Sequence, residues 1–121
     1  PVYSHIYYGD RGQSLMLSAT VSIRNIDPAR SMTLLSVDYH DSDGNLIERI
    51  HSAPLNIAPL KTVRFLIGES DKRGGSGAKC IIRWRSDSPI LEPLVESIMI
   101  GTRLQQGISF SCRAVPQEEW Q

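Results

Sequence analysis

Apolar and polar residues alternate along most of this chain, with a period of two. From Leu15 to Arg24 every odd position is apolar, and Met16 is the only apolar residue among the even positions. Because successive side chains of a β-strand point to opposite faces of the sheet, this pattern predicts a strand with one buried and one solvated face. Seven further segments are predicted as strands: 2–8, 33–40, 46–50, 62–67, 80–85, 94–100 and 107–113.

Turn signals separate the predicted strands. Asp43-Gly44 predicts a hairpin, because glycine adopts positive φ without steric cost, and Pro28 fixes φ in a turn after Asp27. No segment sustains the i, i+3, i+4 apolar spacing of an amphipathic helix over three turns. We therefore predict an all-β fold, an immunoglobulin-like β-sandwich of about seven to eight antiparallel strands, with a small barrel as the alternative. A single domain is expected over residues 1–121, with 114–121 as a flexible tail.

The balance of charge limits the classes of partner. The chain has 13 basic and 13 acidic residues, so it lacks the positive field on which non-specific nucleic-acid binding depends. The longest apolar run, 93–100, is interrupted by Glu96 and is shorter than the roughly 20 residues of a membrane span, so no transmembrane segment is predicted. No signal peptide is visible, and Pro1 in place of Met suggests a mature or trimmed product. These residues leave both the cytoplasm and the cell envelope open.

A glycine-rich segment, E-S-D-K-R-G-G-S-G-A-K from Glu69 to Lys79, is the first candidate for chemistry. A phosphate-binding loop needs G-x-x-x-x-G-K-[ST], but Arg73 stands where the second glycine is required when the count starts at Gly68. The segment is also similar to a nucleophile elbow, but that turn must lead into a helix, and here a strand is predicted. We predict a loop between strands, whose polar side chains make it a candidate ligand site.

The segment Asp41–Asn45 begins like a calcium-binding loop. However, Leu46 and Ser52 stand where an EF-hand requires glycine and glutamate, so a hairpin turn is predicted instead. The three histidines lie far apart in the sequence without metal-binding spacing, and we expect structural roles for them. No acid pair, oxyanion motif or cofactor fingerprint is present, so we expect no cofactor, no metal and no catalytic residue.

Both cysteines, Cys80 and Cys112, fall on the predicted core faces of their strands. We expect the segment 94–100 to pair with both cysteine strands and so to separate them by two strand spacings, about 9.5 Å. A disulfide requires Cα atoms within about 7 Å, so free thiols are predicted. The alternative, a disulfide, would indicate an oxidising compartment.

Five strings of the sequence together carry a resemblance to a known family. They are Y-S-H-I-Y at 3–7, S-I-R-N at 22–25, V-D-Y-H-D-S-D-G at 37–44, E-S-D-x-x-G-G-S-G-A at 69–78 and Q-Q-G-I-S-F at 105–110. From Val2 to Arg113 the chain resembles an uncharacterised bacterial domain-of-unknown-function family. The resemblance implies a small exported protein or lipoprotein of the cell envelope or periplasm with an immunoglobulin-like domain, and it implies no activity and no functional residues.

These observations predict a non-catalytic binding or interaction module of the bacterial cell envelope, whose partner is a protein or an envelope component. Three alternatives stay open: a metal- or small-ligand-binding domain that uses the 69–78 loop, an enzyme that uses the same loops, and a structural domain that dimerises through an edge strand. The candidate ligand-binding residues belong to three polar segments that we expect to meet: His5, Glu69, Ser70, Asp71, Ser76, Gln105 and Gln106.

Overall fold

A computed structural model describes the backbone of residues 1–8, 13–68, 73–103 and 106–117, and the side chains of 1–6, 16–68, 73–101 and 109–117. These residues form strands and turns, with no helix. The strands are β1 His5–Tyr8, β2 Gln13–Met16, β3 Ser18–Arg24, β4 Met32–His40, β5 Leu46–His51, β6 Leu55–Ile57, β7 Thr62–Ile67, β8 Lys79–Arg85, β9 Leu94–Arg103 and β10 Gln106–Arg113. The prediction of an all-β fold is confirmed.

The strands form two larger antiparallel sheets and one short hairpin. The first sheet has the order β10-β9-β3-β7. In the second sheet, β5 and β6 pair in turn with one edge of β4, and β8 pairs with the other edge. The hairpin consists of β1 and β2, and β2 also lies against β9. Among the described residues there is no helix with the length and hydrophobicity that a membrane span requires.

The two sheets pack face to face in a sandwich-like arrangement around one core. At one side of the core, the ring of His51 on β5 lies 5.6 Å from the ring of Phe65 on β7. Each fully buried aliphatic side chain stabilises the fold by about 1.5–3 kcal/mol, so the core dominates the favourable free energy. The buried apolar residues come from both sheets and from the segments beside them: Val2, Leu17, Ala19, Val21, Ile23, Met32, Leu34, Val37, Tyr39, Ile57, Ile67, Ala78 and Met99.

On β3 and β7 the alternating pattern correctly identified which side chains face the core, whereas on β4 every residue from Ser36 to Tyr39 is buried. Ala19, Val21 and Ile23 on β3 are each at most 2% exposed, whereas on β7 Leu66 is 71% exposed and its neighbour Ile67 only 6%. The single strand predicted from Leu15 to Arg24 is, however, two strands. The chain changes its pairing partner at Leu17, whose backbone N–H donates to the carbonyl of Ser4, so β2 pairs with β1 and β3 joins the first sheet.

The expected pairing of the cysteine strands with β9 is right for the strand of Cys112 and wrong for the strand of Cys80. Strand β9 pairs with β10 and β3, while β8 pairs with β4 in the second sheet. Cys80 and Cys112 therefore lie in opposite sheets and not two strands apart in one sheet. Both thiols are free, as predicted, although the reason given for that prediction does not hold.

Candidate functional site

Several connections between strands meet at one end of the sandwich, which we call the loop end. Strand β7 finishes where Ile67 pairs with Ala19, at the start of β3, and Ser18 pairs with Ile100 near the end of β9. The connection from β7 to β8 and the turn from β9 to β10 therefore leave the first sheet at the same end. The turn from β4 to β5 joins them there, because His40 at the end of β4 pairs with Lys79 at the start of β8.

The turn from β4 to β5 is held by its own first residue. Asp41 Oδ1 accepts hydrogen bonds from the backbone N–H groups of Asp43 at 3.0 Å and Asn45 at 2.8 Å. Gly44 has φ of 88°, as expected for a hairpin glycine. The hydrogen bond from the Asn45 backbone is the largest cause of the lowered pKa of Asp41. The predicted hairpin is confirmed, and the carboxylate that suggested calcium is bonded to backbone amides.

The glycine-rich segment is clamped by two serine hydroxyl groups from distant parts of the chain. Ser42 Oγ donates to the carbonyl of Gly74 at 3.1 Å and accepts from the N–H of Gly77 at 2.9 Å. Ser4 Oγ accepts from the N–H of Gly75 at 2.8 Å, and the Ser4 N–H donates to the Gly75 carbonyl. We call Ser4 and Ser42 the serine clamp. It ties the backbone of residues 74–77 both to Ser4, just before β1, and to the β4–β5 turn.

Two of the predicted ligand-binding residues lie beside the serine clamp. Ser76 sits between the two clamped glycines with its side chain exposed to solvent. His5 is the first residue of β1, and its Nδ1 lies 3.0 Å from Ser4 Oγ. Because Ser4 also bonds to Gly75, the structure connects His5 to the glycine-rich segment through one serine.

The other predicted residues are described less fully or not at all. Gln106 begins β10 opposite Arg103, so its backbone lies at the loop end. Four residues lie outside the described part of the chain: Glu69, Ser70, Asp71 and Gln105.

Sequence reasoning missed the serine clamp. The sequence predicts Ser42 in a hairpin turn and Ser4 in a strand, and no local signal links either serine to a glycine far along the chain.

A second polar network lies at the opposite end of the sandwich. Asn25 is fully buried, and its Nδ2 donates to the carbonyls of Arg30, Ile57 and Ala58 while its Oδ1 accepts from the Asp27 N–H. Because a buried amide must satisfy its donors and acceptor, Asn25 holds the β3–β4 connection against the end of β6. This is a structural role.

Asp27 continues this network. Its Oδ1 accepts from the backbone N–H groups of Ala29 at 2.9 Å and Arg30 at 3.0 Å, and its Oδ2 accepts from Leu91 at 3.3 Å. The hydrogen bond from Ala29 is the largest cause of the lowered pKa of Asp27. A carboxylate held by three backbone amides organises two connections and has little capacity left for a ligand.

Cys80 and Cys112 line one cavity of about 30 Å³ between the β8 and β10 sides of the two sheets, together with Val21 and Val95. A cavity of this size holds about one or two water molecules and is far smaller than a metabolite site. Burial raises the pKa of the Cys80 thiol to about 12, so the thiol is neutral at physiological pH.

Within the described side chains, no group of three or more His, Cys, Asp and Glu residues is placed to hold a metal ion.

Both polar networks and all candidate residues fall in a region that matches one protein family. The family model described as Protein of unknown function (DUF3124) matches residues 1–116. The chain belongs to the DUF3124 family. This confirms the expected membership of an uncharacterised domain-of-unknown-function family. No curated protein and no solved structure matched the DUF3124 chain.

Proposed function

We propose that this DUF3124 domain is a non-catalytic binding or interaction module of the bacterial cell envelope, built as an immunoglobulin-like sandwich. It engages a protein or an envelope component through its loop end. The observation that carries the proposal is the serine clamp, which bonds to the backbone of Gly74, Gly75 and Gly77 while Ser76 faces solvent between Gly75 and Gly77.

Rigid presentation matters because binding through a loop normally has to offset the entropy lost when that loop becomes ordered. The segment from Gly74 to Gly77 is ordered before a partner arrives, since Ser4 and Ser42 bond to its backbone on two sides. Loops carried by a rigid sheet scaffold are where such domains usually place their binding residues. The loop end combines this fixed segment with the β4–β5 turn and the start of β10.

The polar side chains of the described residues support a binding role over a catalytic one. Asp27 and Asp41 have lowered pKa values because backbone N–H groups bond to them, so both carboxylates stabilise turns and neither is poised to exchange protons near neutral pH. The location in the envelope or periplasm rests on the sequence resemblance to exported and lipid-anchored proteins.

The second candidate is a metal- or small-ligand-binding domain that uses the 69–78 loop. It is favoured by the contact between His5 Nδ1 and Ser4 Oγ, which brings an imidazole next to the clamped segment. The two candidates differ in what binds at the loop end. A small ligand or metal ion would raise the stability of the isolated domain, without any protein partner.

The experiment is a thermal melt of the purified domain with chelator, with Ca²⁺, Zn²⁺ or Mg²⁺, and with a panel of envelope sugars. A ligand at 100 times its dissociation constant adds about 2.7 kcal/mol, which shifts the Tm of a domain of this size by roughly 4 °C or more. The wild type is compared with Ser76→Trp, which blocks the loop end, and with Ser31→Trp at an exposed position of the opposite end.

A shift that is lost in Ser76→Trp and kept in Ser31→Trp would assign the occupant to the loop end. A flat panel would contradict the small-ligand candidate and direct the search to envelope proteins. If an envelope protein then bound Ser76→Trp as tightly as the wild type, the loop end would not be the binding surface.

A further inference from the structure

Among the described residues, the edge strand β10 has a strand partner on one side only. It pairs with β9 over eight successive positions, from Gln106 opposite Arg103 to Arg113 opposite Glu96, without a register shift. No other described strand pairs with β10. Its second edge therefore presents a row of backbone N–H and C=O groups to which another strand can bond.

Three other edge strands carry features that discourage such pairing. Arg64 lies in the middle of β7, and β5 contains Glu48 and Arg49 and pairs with β4 through two register shifts. Charges and bulges of this kind are the usual protection of exposed edges.

Strand β8 is protected in two ways. Three of its seven residues are basic. The N-terminal segment also lies beside its first residue, because the Val2 N–H donates to the carbonyl of Ala78 just before the strand begins.

Strand β10 has none of these features between its ends. Residues 107–112 read G-I-S-F-S-C, with no charge and no proline, and the ladder to β9 is regular. An uncharged, regular edge strand of this length is a template for strand addition. The contrast with β5, β7 and β8 points to this edge as a site of strand addition.

We propose that β10 pairs with β10 of a second copy of this chain, antiparallel across a two-fold axis, and joins the two first sheets into one continuous sheet. Self-pairing around a two-fold is the commonest route to a symmetric dimer. A two-fold axis perpendicular to the sheet places the outer faces of both copies on the same side of the joined sheet. Outward-facing residues of one copy therefore lie opposite outward-facing residues of the other. The pairing must then centre on a residue and cannot centre between two residues.

Only centres at Ser109 and Phe110 let seven residues of β10 pair, and between these two the residue types select Phe110. This register places Phe110 opposite Phe110 of the second copy, and Ser109 opposite Ser111. Arg113 falls opposite Gly107, so no like charges meet along the seam. A centre at Ser109 would instead place Cys112 opposite Gln106 and so mix apolar with polar positions.

The outer face of the first sheet fits this register. Ser111 pairs with Ile98 and Ser109 pairs with Ile100 within one copy. Across the seam, one row of outward side chains consists of Ile100 and Ser109 of one copy followed by Ser111 and Ile98 of the second copy. The two-fold axis generates a second row of the same composition. Ile98 and Ile100 are 44% and 49% exposed in the single chain, and the dimer places these aliphatic side chains on both sides of a serine-lined seam.

The test is sedimentation velocity of the full chain across a dilution series, in reducing buffer and with the far-UV spectrum recorded for each variant. We expect a monomer–dimer equilibrium in the wild type. The double variant Ser109→Lys with Ser111→Lys changes two exposed positions in each copy and so puts four ammonium groups in the seam. Because like charges opposite each other repel, this variant should be monomeric at concentrations where the wild type is dimeric.

A charge swap tests the register. In the double variant Ser109→Lys with Ser111→Glu, each lysine meets a glutamate of the second copy, so the dimer should form and should weaken as salt is raised. The matched control adds two lysines away from β10, by Leu66→Lys with Ser52→Lys at exposed positions, and should dimerise as the wild type does.

A wild type that stays monomeric at its highest soluble concentration would overturn the proposal, and binding of an extended peptide to that monomer would show that the edge serves another partner. A dimer that survives the lysine pair would place the interface elsewhere. Equal loss of the dimer in both double variants would overturn the Phe110-centred register. Because Ser76→Trp changes no residue of β10, it should dimerise as the wild type does, which separates this test from that of the loop end.

Discussion

Gly74 packs directly against the phenol of Tyr39, and no side chain larger than hydrogen fits between them. A β-carbon at Gly74 would overlap the Tyr39 hydroxyl and lie 2.6 Å from Ala78 Cβ. Tyr39 is fully buried in the core, so its ring has no space into which to withdraw. This contact is the reason the glycine-rich segment can lie across the end of β4.

We expect Gly74→Ala to destabilise the domain by about 1–3 kcal/mol, the usual cost of overpacking a closed core. Urea denaturation measures the change. Gly44→Ala is the control, because nothing lies within 4 Å of a β-carbon there and only the positive φ of 88° costs energy, about 1–2 kcal/mol. Combining Gly74→Ala with Tyr39→Phe should cost less than the sum of the two single changes. Simple additivity would show that the two residues do not compete for the same space.

Removing the Ser42 hydroxyl should loosen the serine clamp. Ser42→Ala leaves the Gly77 N–H without its side-chain acceptor and the Gly74 carbonyl without its side-chain donor, for an expected loss of about 0.5–1.5 kcal/mol. Urea denaturation gives the stability, and hydrogen exchange at the Gly77 amide should accelerate more than exchange in β3. The neighbouring exposed Ser76→Ala should change stability by no more than about 0.5 kcal/mol. Equal effects at the two serines would argue against the clamp.

Stability should fall on acidification because of two carboxylates. The folded-state pKa values of Asp27 and Asp41 are lowered by backbone hydrogen bonds. Their contribution is fully present above the unfolded pKa of about 3.9 and is lost as pH falls through the lower folded values.

Unfolding free energy, measured from pH 7 downwards, should therefore decline most steeply below about pH 4. Asp27→Asn should be less stable than the wild type at neutral pH and should show a shallower decline in acid. Asp87→Asn, an exposed position in the β8–β9 connection, should follow the wild-type curve. A wild-type profile that is flat to pH 3 would contradict the assignment.

The Cys80 thiol should be nearly inert in the folded protein. Burial raises its pKa from 9.0 to about 12, which lowers its thiolate fraction about a thousandfold at pH 8. In a Cys112→Ser background, reaction with a disulfide reagent should be slow in buffer and fast in urea, as absorbance of the released thiolate reports. Rapid labelling of the native variant would show that Cys80 is reached by solvent far more than its position between the sheets allows.

Much of the strand pattern follows from neighbouring residues alone. The burial of Ala19, Val21 and Ile23 could be predicted because side chains alternate along any strand, whichever strand pairs with it. The hairpin at Gly44 could be predicted because turn chemistry depends on four successive residues. Membership of a domain-of-unknown-function family was likewise recognisable from short strings.

The candidate site could not be derived in this way. Ser4 and Gly75 are 71 residues apart, and Ser42 and Gly77 are 35 residues apart. Serine and glycine carry no periodicity that would link them over such distances. The expected pairing of β9 with β8 failed for a related reason: any strand with one apolar face satisfies the burial pattern, and hydrophobic burial alone does not select a partner.

The amino-acid sequence by itself determined most of the strands, the buried faces of β3 and β7 and the hairpin at Gly44, because each depends on residues that are close in the chain. Only the tertiary structure decided that β9 lies between β10 and β3, that Ser4 and Ser42 clamp the glycine-rich segment, and that β10 keeps an unprotected edge. These relationships arise when distant segments meet, and the choice among partners is made by the packing of the whole core.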